Sequence, residues 1–141
     1  MNRFENYEVK SIRQRSTHSH RGVRIVNYNG YAFTFGSTGT YRNSKVEMLK
    51  FDNVIHWDDE YPQYPFAPAL AAYSSVTIDA GVVIVGGGYS NTDGDWITTN
   101  QVALFDIKFG WQSLGKVQYS RHAHSSIVFG NSIYVIGGKG V

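Results

Sequence analysis

The chain of 141 residues suits one compact domain and is too short for two of ordinary size. With 42% apolar and 17% charged residues it has the means to bury a core, which excludes a disordered chain. Net charge is only +2, and the lack of cysteine excludes disulfides, Cys-ligated zinc and thiol catalysis together. Aromatics at 15%, with fifteen Gly against three Pro, fit a β protein with many tight turns.

The first residues, Met1 to Asn6, carry charge and no apolar run, so no secretory signal is expected. No Asn-x-Ser/Thr site occurs, and a cytoplasmic location is favoured. Phe4-Glu5-Asn6-Tyr7 reads as an outer strand preceding the first full unit, within an N-terminal segment 1–14. Arg3, Lys10, Arg13, Arg15, Arg21 and Arg24 against Glu5 and Glu8 give the first 24 residues a charge of +4, leaving −2 for the rest. Such a stretch attracts phosphates. It lacks a recognition helix, a zinc motif and the aromatic signature of an RNA-binding sheet, so it reads as solvated strand and loop, with no nucleic-acid partner expected. His18 and His20, and later His122 and His124, are alternate-position pairs that would point one way on a strand. A structural role is preferred for them, and no metal is expected.

Val26 to Gly36 is an earlier, looser copy of an apolar strand pattern that returns twice further on, and a Ser- and Thr-rich loop, Ser37–Ser44, follows it. Phe51-Asp52, four residues, then Trp57 is a marker that returns as Phe105-Asp106, four residues, Trp111, at an offset of 54. Between the two copies, Pro62, Pro65 and Pro68 stand three apart and predict an extended crossover. Ser74 to Gly87 matches Ser125 to Gly138 at an offset of 51 without a gap. In the earlier copy, Asp79-Ala80-Gly81 turns the chain into Val82–Val85, a continuous apolar run expected of a strand covered on both faces and far too short to span a bilayer. Asn91, Asp93 and Asp95 alternate as calcium ligands do, but Trp96 and Val102 stand where the loop's Gly and Glu belong, so a plain hairpin loop is expected. Gln101–Ile107 and the stretch from Trp111 complete four short strands per unit. No long helix is predicted.

These residues resemble kelch repeats. The family's marks are an apolar strand ending in two glycines (Gly86-Gly87, Gly137-Gly138, with Gly36-Ser37 in the first copy), a later Trp (Trp57, Trp111), and an Arg-x-x-His-Ser lead-in, here Arg121-His122-Ala123-His124-Ser125. In the middle copy Leu70-Ala71-Ala72-Tyr73-Ser74 replaces that lead-in, and Arg15-Ser16-Thr17-His18-Ser19 sits about five residues early in the first. The resemblance covers about residues 15–141. It implies an all-β fold of four-stranded antiparallel β-propeller blades: a divergent blade over 15–66, a second over 67–119, and half of a third over 120–141. Two and a half blades make an incomplete ring, so the chain is expected to be a piece of a longer protein or to self-associate.

The resemblance implies a binding scaffold for a protein partner, as kelch propellers bind actin or substrates of ubiquitin ligases, with no catalysis. Gly36, Trp57, Gly86, Gly87, Trp111, Arg121, His124, Gly137 and Gly138 are expected to build the platform. The candidate partner contacts are Ser37, Thr38, Thr40, Tyr41, Arg42 and Asn43 in one loop, and Tyr89, Asn91, Asp93, Asp95 and Trp96 in Tyr89–Thr99, both expected on one face. Galactose oxidase resembles this fold, but its copper site needs a Cys-linked Tyr, which this chain cannot make; no cofactor is expected. The alternative is part of a kelch-type sugar isomerase whose active residues lie on other blades.

Overall fold

The structure is a computed structural model and describes residues 6–140. It is all-β. The first sheet holds β1 (Ile25–Tyr28), β2 (Tyr31–Ser37), β3 (Asn43–Phe51) and β4 (Ile55–Asp58), antiparallel and in chain order. The second holds β5 (Ser74–Ile78), β6 (Gly81–Val85), β9 (Gln101–Asp106) and β10 (Gly110–Lys116), again in chain order across the sheet. Between β6 and β9 the chain adds a separate hairpin, β7 (Gly88–Ser90) with β8 (Trp96–Thr98), in the stretch that composition marks as loop. The third sheet pairs β11 (Ser125–Phe129) with β12 (Ser132–Ile136). Each sheet falls inside one of the three expected repeat units. Residues 6–14 form no strand here, and Phe4 and Glu5 of the expected outer strand lie outside the described residues. Among the described residues no helix is long and apolar enough to cross a membrane.

Local chemistry sets the hairpins. Asn29 and Gly30 both take positive φ (55° and 81°), the two-residue turn whose twist suits antiparallel strands, and Tyr28 pairs with Tyr31 across it. Ser74 pairs with Val85 and Ser125 with Ile136, so the sequence offset of 51 holds to the residue in the ladder.

The sheets stack face to face. Val82, Ile84, Ala103 and Phe105 of the second sheet pack with Phe33, Phe35, Val46 and Met48 of the first, all buried. Trp111 joins them, its ring centroid 5.1 Å from Phe105, 5.2 Å from Tyr64 and 5.6 Å from Phe35. Its indole N–H donates to the Pro62 carbonyl at 2.8 Å, which ties in the proline-bearing crossover. The alternate residues Val83 and Val85 pack with Ile133 and Val135 of the third sheet. Strand β6 is thus buried on both faces, as its unbroken apolar run requires.

One backbone bond repeats from sheet to sheet. The Ala72 N–H donates to Gly22 O and the Ala123 N–H to Ala72 O, each at 2.8 Å, and Gly22, Ala72 and Ala123 all have positive φ. Side chains make a second tie. His124 Nε2–H donates to Val85 O at 2.8 Å, and Tyr73, 51 residues earlier, holds the corresponding place against the first sheet. The Tyr73 hydroxyl donates to Arg24 O at 3.1 Å and accepts from the Phe35 N–H at 3.2 Å. Tyr73 therefore replaces the lead-in histidine without losing the cross-sheet bond, and burial pushes its phenol well above the usual range.

Tyr73→Phe strands the buried Phe35 N–H and is expected to cost about 1–3 kcal/mol in urea unfolding. Tyr61→Phe removes only a hydroxyl on the Met48 sulfur, at 3.3 Å in a half-buried place, and should leave the midpoint nearly unchanged.

Candidate functional site

The platform residues take up packing and backbone roles. Gly36 and Gly86 have φ of 75° and 64°; a Cβ on Gly36 would strike Leu70 O, and one on Gly86 would stand 2.5 Å from Arg121 O. Leu70 and Arg121 are 51 residues apart, so one close approach is made twice. Gly87 and Gly138 face the carbonyls of Ala71 and His122 in the same repeating way, whereas a Cβ on Gly137 would meet nothing within 4 Å. In the first unit Ser37 replaces the second glycine. Its buried hydroxyl accepts from the Arg21 N–H at 2.9 Å and donates to Thr38 O at 3.1 Å.

The two tryptophans occupy like places, but the Phe-Asp marker does not. Trp111 pairs with Phe105, which pairs with Val82; Trp57 pairs with Leu49, which pairs with Ala32. Leu49, not Phe51, is therefore the counterpart of Phe105. Both turns leave three residues unpaired, but the β3–β4 ladder runs one pair further past Leu49 than the β9–β10 ladder runs past Phe105; a slip of two keeps the same face, and Phe51 is left exposed. Trp57 does not lie between two described sheets. It covers the outer face of the first sheet, donating to Gln14 O at 3.0 Å and stacking on His20.

His124 is buried, with Nδ1 lacking a hydrogen-bond partner among the described residues. Burial lowers its pKa below the ordinary value; the bond to Val85 O opposes this, while Arg121, His122 and Arg24 add to it. Arg121 donates from its guanidinium to Gly137 O at 3.3 Å. His122 bonds Thr98 Oγ1 at 3.1 Å.

The two candidate loops leave the sheets at matching points. The Thr38 N–H donates to Arg21 O and the Gly88 N–H to Ala71 O, both at 2.9 Å, just beyond the strand-ending residues of β2 and β6. The proposed contacts are then sorted by exposure. Thr40, Tyr41 and Arg42 are exposed, as are Asp93 and Asp95 at the tip of the β7–β8 hairpin. Ser37 is buried inside β2, and Asn43 opens β3 as a half-buried tie. Thr38 is half-buried beside its backbone bond, and Tyr89 is half-buried in β7. Asn91 builds the tip, its Oδ1 accepting from the N–H groups of Asp93 (3.0 Å) and Asp95 (2.9 Å). Trp96 leans over Gly88 and lies 5.4 Å from the His122 ring.

A wide cleft of about 780 Å³ opens between Thr40–Asn43 and the N-terminal segment Arg15–Ser19. Its second wall is missing from the loops chosen on sequence. Glu47 fixes that wall. On β3 between Val46 and Met48, Glu47 turns to the opposite face and is fully buried. Its carboxylate accepts from the Thr17 N–H (2.9 Å), the His18 N–H (2.7 Å) and His20 Nε2–H (2.8 Å). Asn43 joins the walls, donating from Nδ2 to Ser19 O at 2.9 Å and to Tyr41 O at 3.1 Å. His18 closes its outer side on Asp59 at 3.1 Å. The histidines of this segment are thus engaged by carboxylates.

Glu47→Ala removes the acceptor for two amides, each bond to a charged group being worth about 1.5–3 kcal/mol. Exchange of the Thr17 and His18 amide hydrogens should quicken at least about tenfold, read by NMR or mass spectrometry. A second test concerns acid. His124 in the unfolded chain takes up a proton near its ordinary value of about 6.5, which the fold resists, so its contribution is complete above that pH and is lost as pH falls below it. Urea titrations at pH 7.5 and 5.5 should show a smaller acid-dependent loss in His124→Gln than in the natural chain.

No family model matches the sequence, and neither does any curated protein. The solved structure of YjhT is similar, with a TM-score of 0.72 at 19% identity over 87% of this chain and 35% of that one. The chain therefore spans about a third of the length of that protein, and at this identity the likeness shows a shared all-β fold.

Proposed function

We propose that the chain is part of a kelch-type β-propeller and serves as a non-catalytic scaffold that presents loops to a protein partner. In this reading the first two sheets are blades, and β11–β12 is the inner half of a third. The stacked antiparallel sheets and the repeating Ala72-to-Gly22 and Ala123-to-Ala72 backbone bonds support it, because they describe one step applied twice. So do the sequence repeats with their paired glycines.

The observation that carries the binding role is the matched exit of the two loops. Through equivalent bonds at Thr38 and Gly88, the β2–β3 connection and the β7–β8 hairpin leave one end of neighbouring sheets, each with an exposed polar tip. Loops held this way on a rigid frame lose little entropy when they bind.

The test is affinity capture with the intact chain and two variants, Thr40/Tyr41/Arg42→Ala and Asp93/Asp95→Ala. Both should melt within about 2 °C of the natural chain, since exposed positions seldom shift stability by more than about 0.5 kcal/mol. At least one should lose a captured protein. Unchanged capture by both would remove the loop-presentation reading.

A further inference from the structure

We infer that the cleft between Arg15–Ser19 and the β2–β3 connection docks an acidic peptide segment, an inference that rests on the scaffold reading and gives its partner a chemistry. The first reason is unbalanced charge. Arg15 and Arg42 stand exposed on opposite walls, and among the described residues neither has a carboxylate within ion-pair reach. Among the described residues no acid lines the cleft. The two carboxylates behind it are occupied: Glu47 is buried under three donors, and Asp59 is paired with His18.

The second reason is that the walls are built rather than loose. Glu47 pins the Arg15–Ser19 wall to β3, and Asn43 bridges that wall to the Tyr41 backbone. The Ser19 and Ser37 hydroxyls meet behind them at 3.1 Å. A ligand therefore finds two arginines carried on fixed walls, with little backbone ordering left to do. Planar guanidiniums take carboxylates in two-point hydrogen bonds, and the hydroxyls of Thr17, Thr40 and Tyr41 offer donors to a peptide backbone. The cations flank one local cleft instead of running as a stripe along a strand or groove, and among the described residues the lining rings are Tyr41 and His18, the latter held by Asp59. That favours a short peptide over a nucleic acid, which needs a charged track and stacking surfaces.

The test is fluorescence anisotropy with the full chain and a short labelled peptide of alternating Glu and Gly. Controls are the matching Lys–Gly peptide and a single-stranded oligonucleotide of similar length. The acidic peptide should bind, the basic one should not, and added salt should weaken binding. Arg15→Glu with Arg42→Glu should weaken it at least about tenfold. Lys108→Glu with Lys116→Glu, the same change of net charge away from the cleft, should alter it less than about twofold. Equal loss in both pairs would reduce the effect to net charge and overturn the site. Tighter binding of the oligonucleotide, lost with the same two arginines, would overturn the peptide assignment. Absence of peptide binding would overturn the inference alone, since the scaffold reading is tested separately by capture through the loop tips.

Discussion

Burial of β6 on both faces is the constraint from which the rest of the architecture follows. Val82 and Ile84 need apolar cover on one side and Val83 and Val85 on the other, so the second sheet cannot present a face to water. Only a stack satisfies it. The first sheet supplies Phe33 and Phe35, the third supplies Ile133 and Val135, and the crossovers between sheets must run around the edges. The proline-bearing crossover is fixed this way, with Pro62 held by Trp111 and the Tyr64 N–H bonded to Ser44 O. Close stacking in turn brings the Leu70 and Arg121 carbonyls so near the strand ends that only glycine fits at Gly36 and Gly86.

What was legible in the sequence was what is decided locally. An unbroken run of four apolar residues marks a two-faced strand, Asn-Gly marks a tight turn, and a gapless offset of 51 carries the ladder register from one unit to the next. The Phe-Asp marker failed for a reason that is also local: one added residue on each strand lengthens the β3–β4 ladder by a pair, which moves Phe51 out while Leu49 takes the buried place, and the two-residue period of a strand hides the change. The Tyr89–Thr99 stretch has the composition of a loop, yet its ends pair because Gly88 admits the Trp96 ring.

The cleft was half legible. Thr40, Tyr41 and Arg42 stand out as a polar insertion between two apolar strands. Arg15–Ser19 reads as a displaced lead-in motif, and its position is set by a contact some thirty residues away in sequence. A faint signal existed in Glu47 itself, the one carboxylate of β3, set between Val46 and Met48. A buried carboxylate must find donors, and on the outer face of the first sheet only the preceding segment was near enough to provide them.

The two cross-sheet ties also differ in kind, and the difference grades the molecule. Between the first and second sheets the tie is the Tyr73 phenol, set among Phe33, Phe35, Phe105 and Trp111, and it stays neutral across ordinary pH. Between the second and third sheets the tie is His124, which is titratable. Around it the packing is smaller and aliphatic, and the Ser74 and Ser126 hydroxyls and His124 Nδ1 are buried without partners among the described residues. Unmet polar atoms cost more in a dry interface than in water, so the second interface is expected to be the weaker one and the first to open locally. The cleft walls hang from β2 and β3, on the stronger side. On the proposed scaffold reading, a binding surface placed there would keep its geometry through fluctuations that loosen the third sheet.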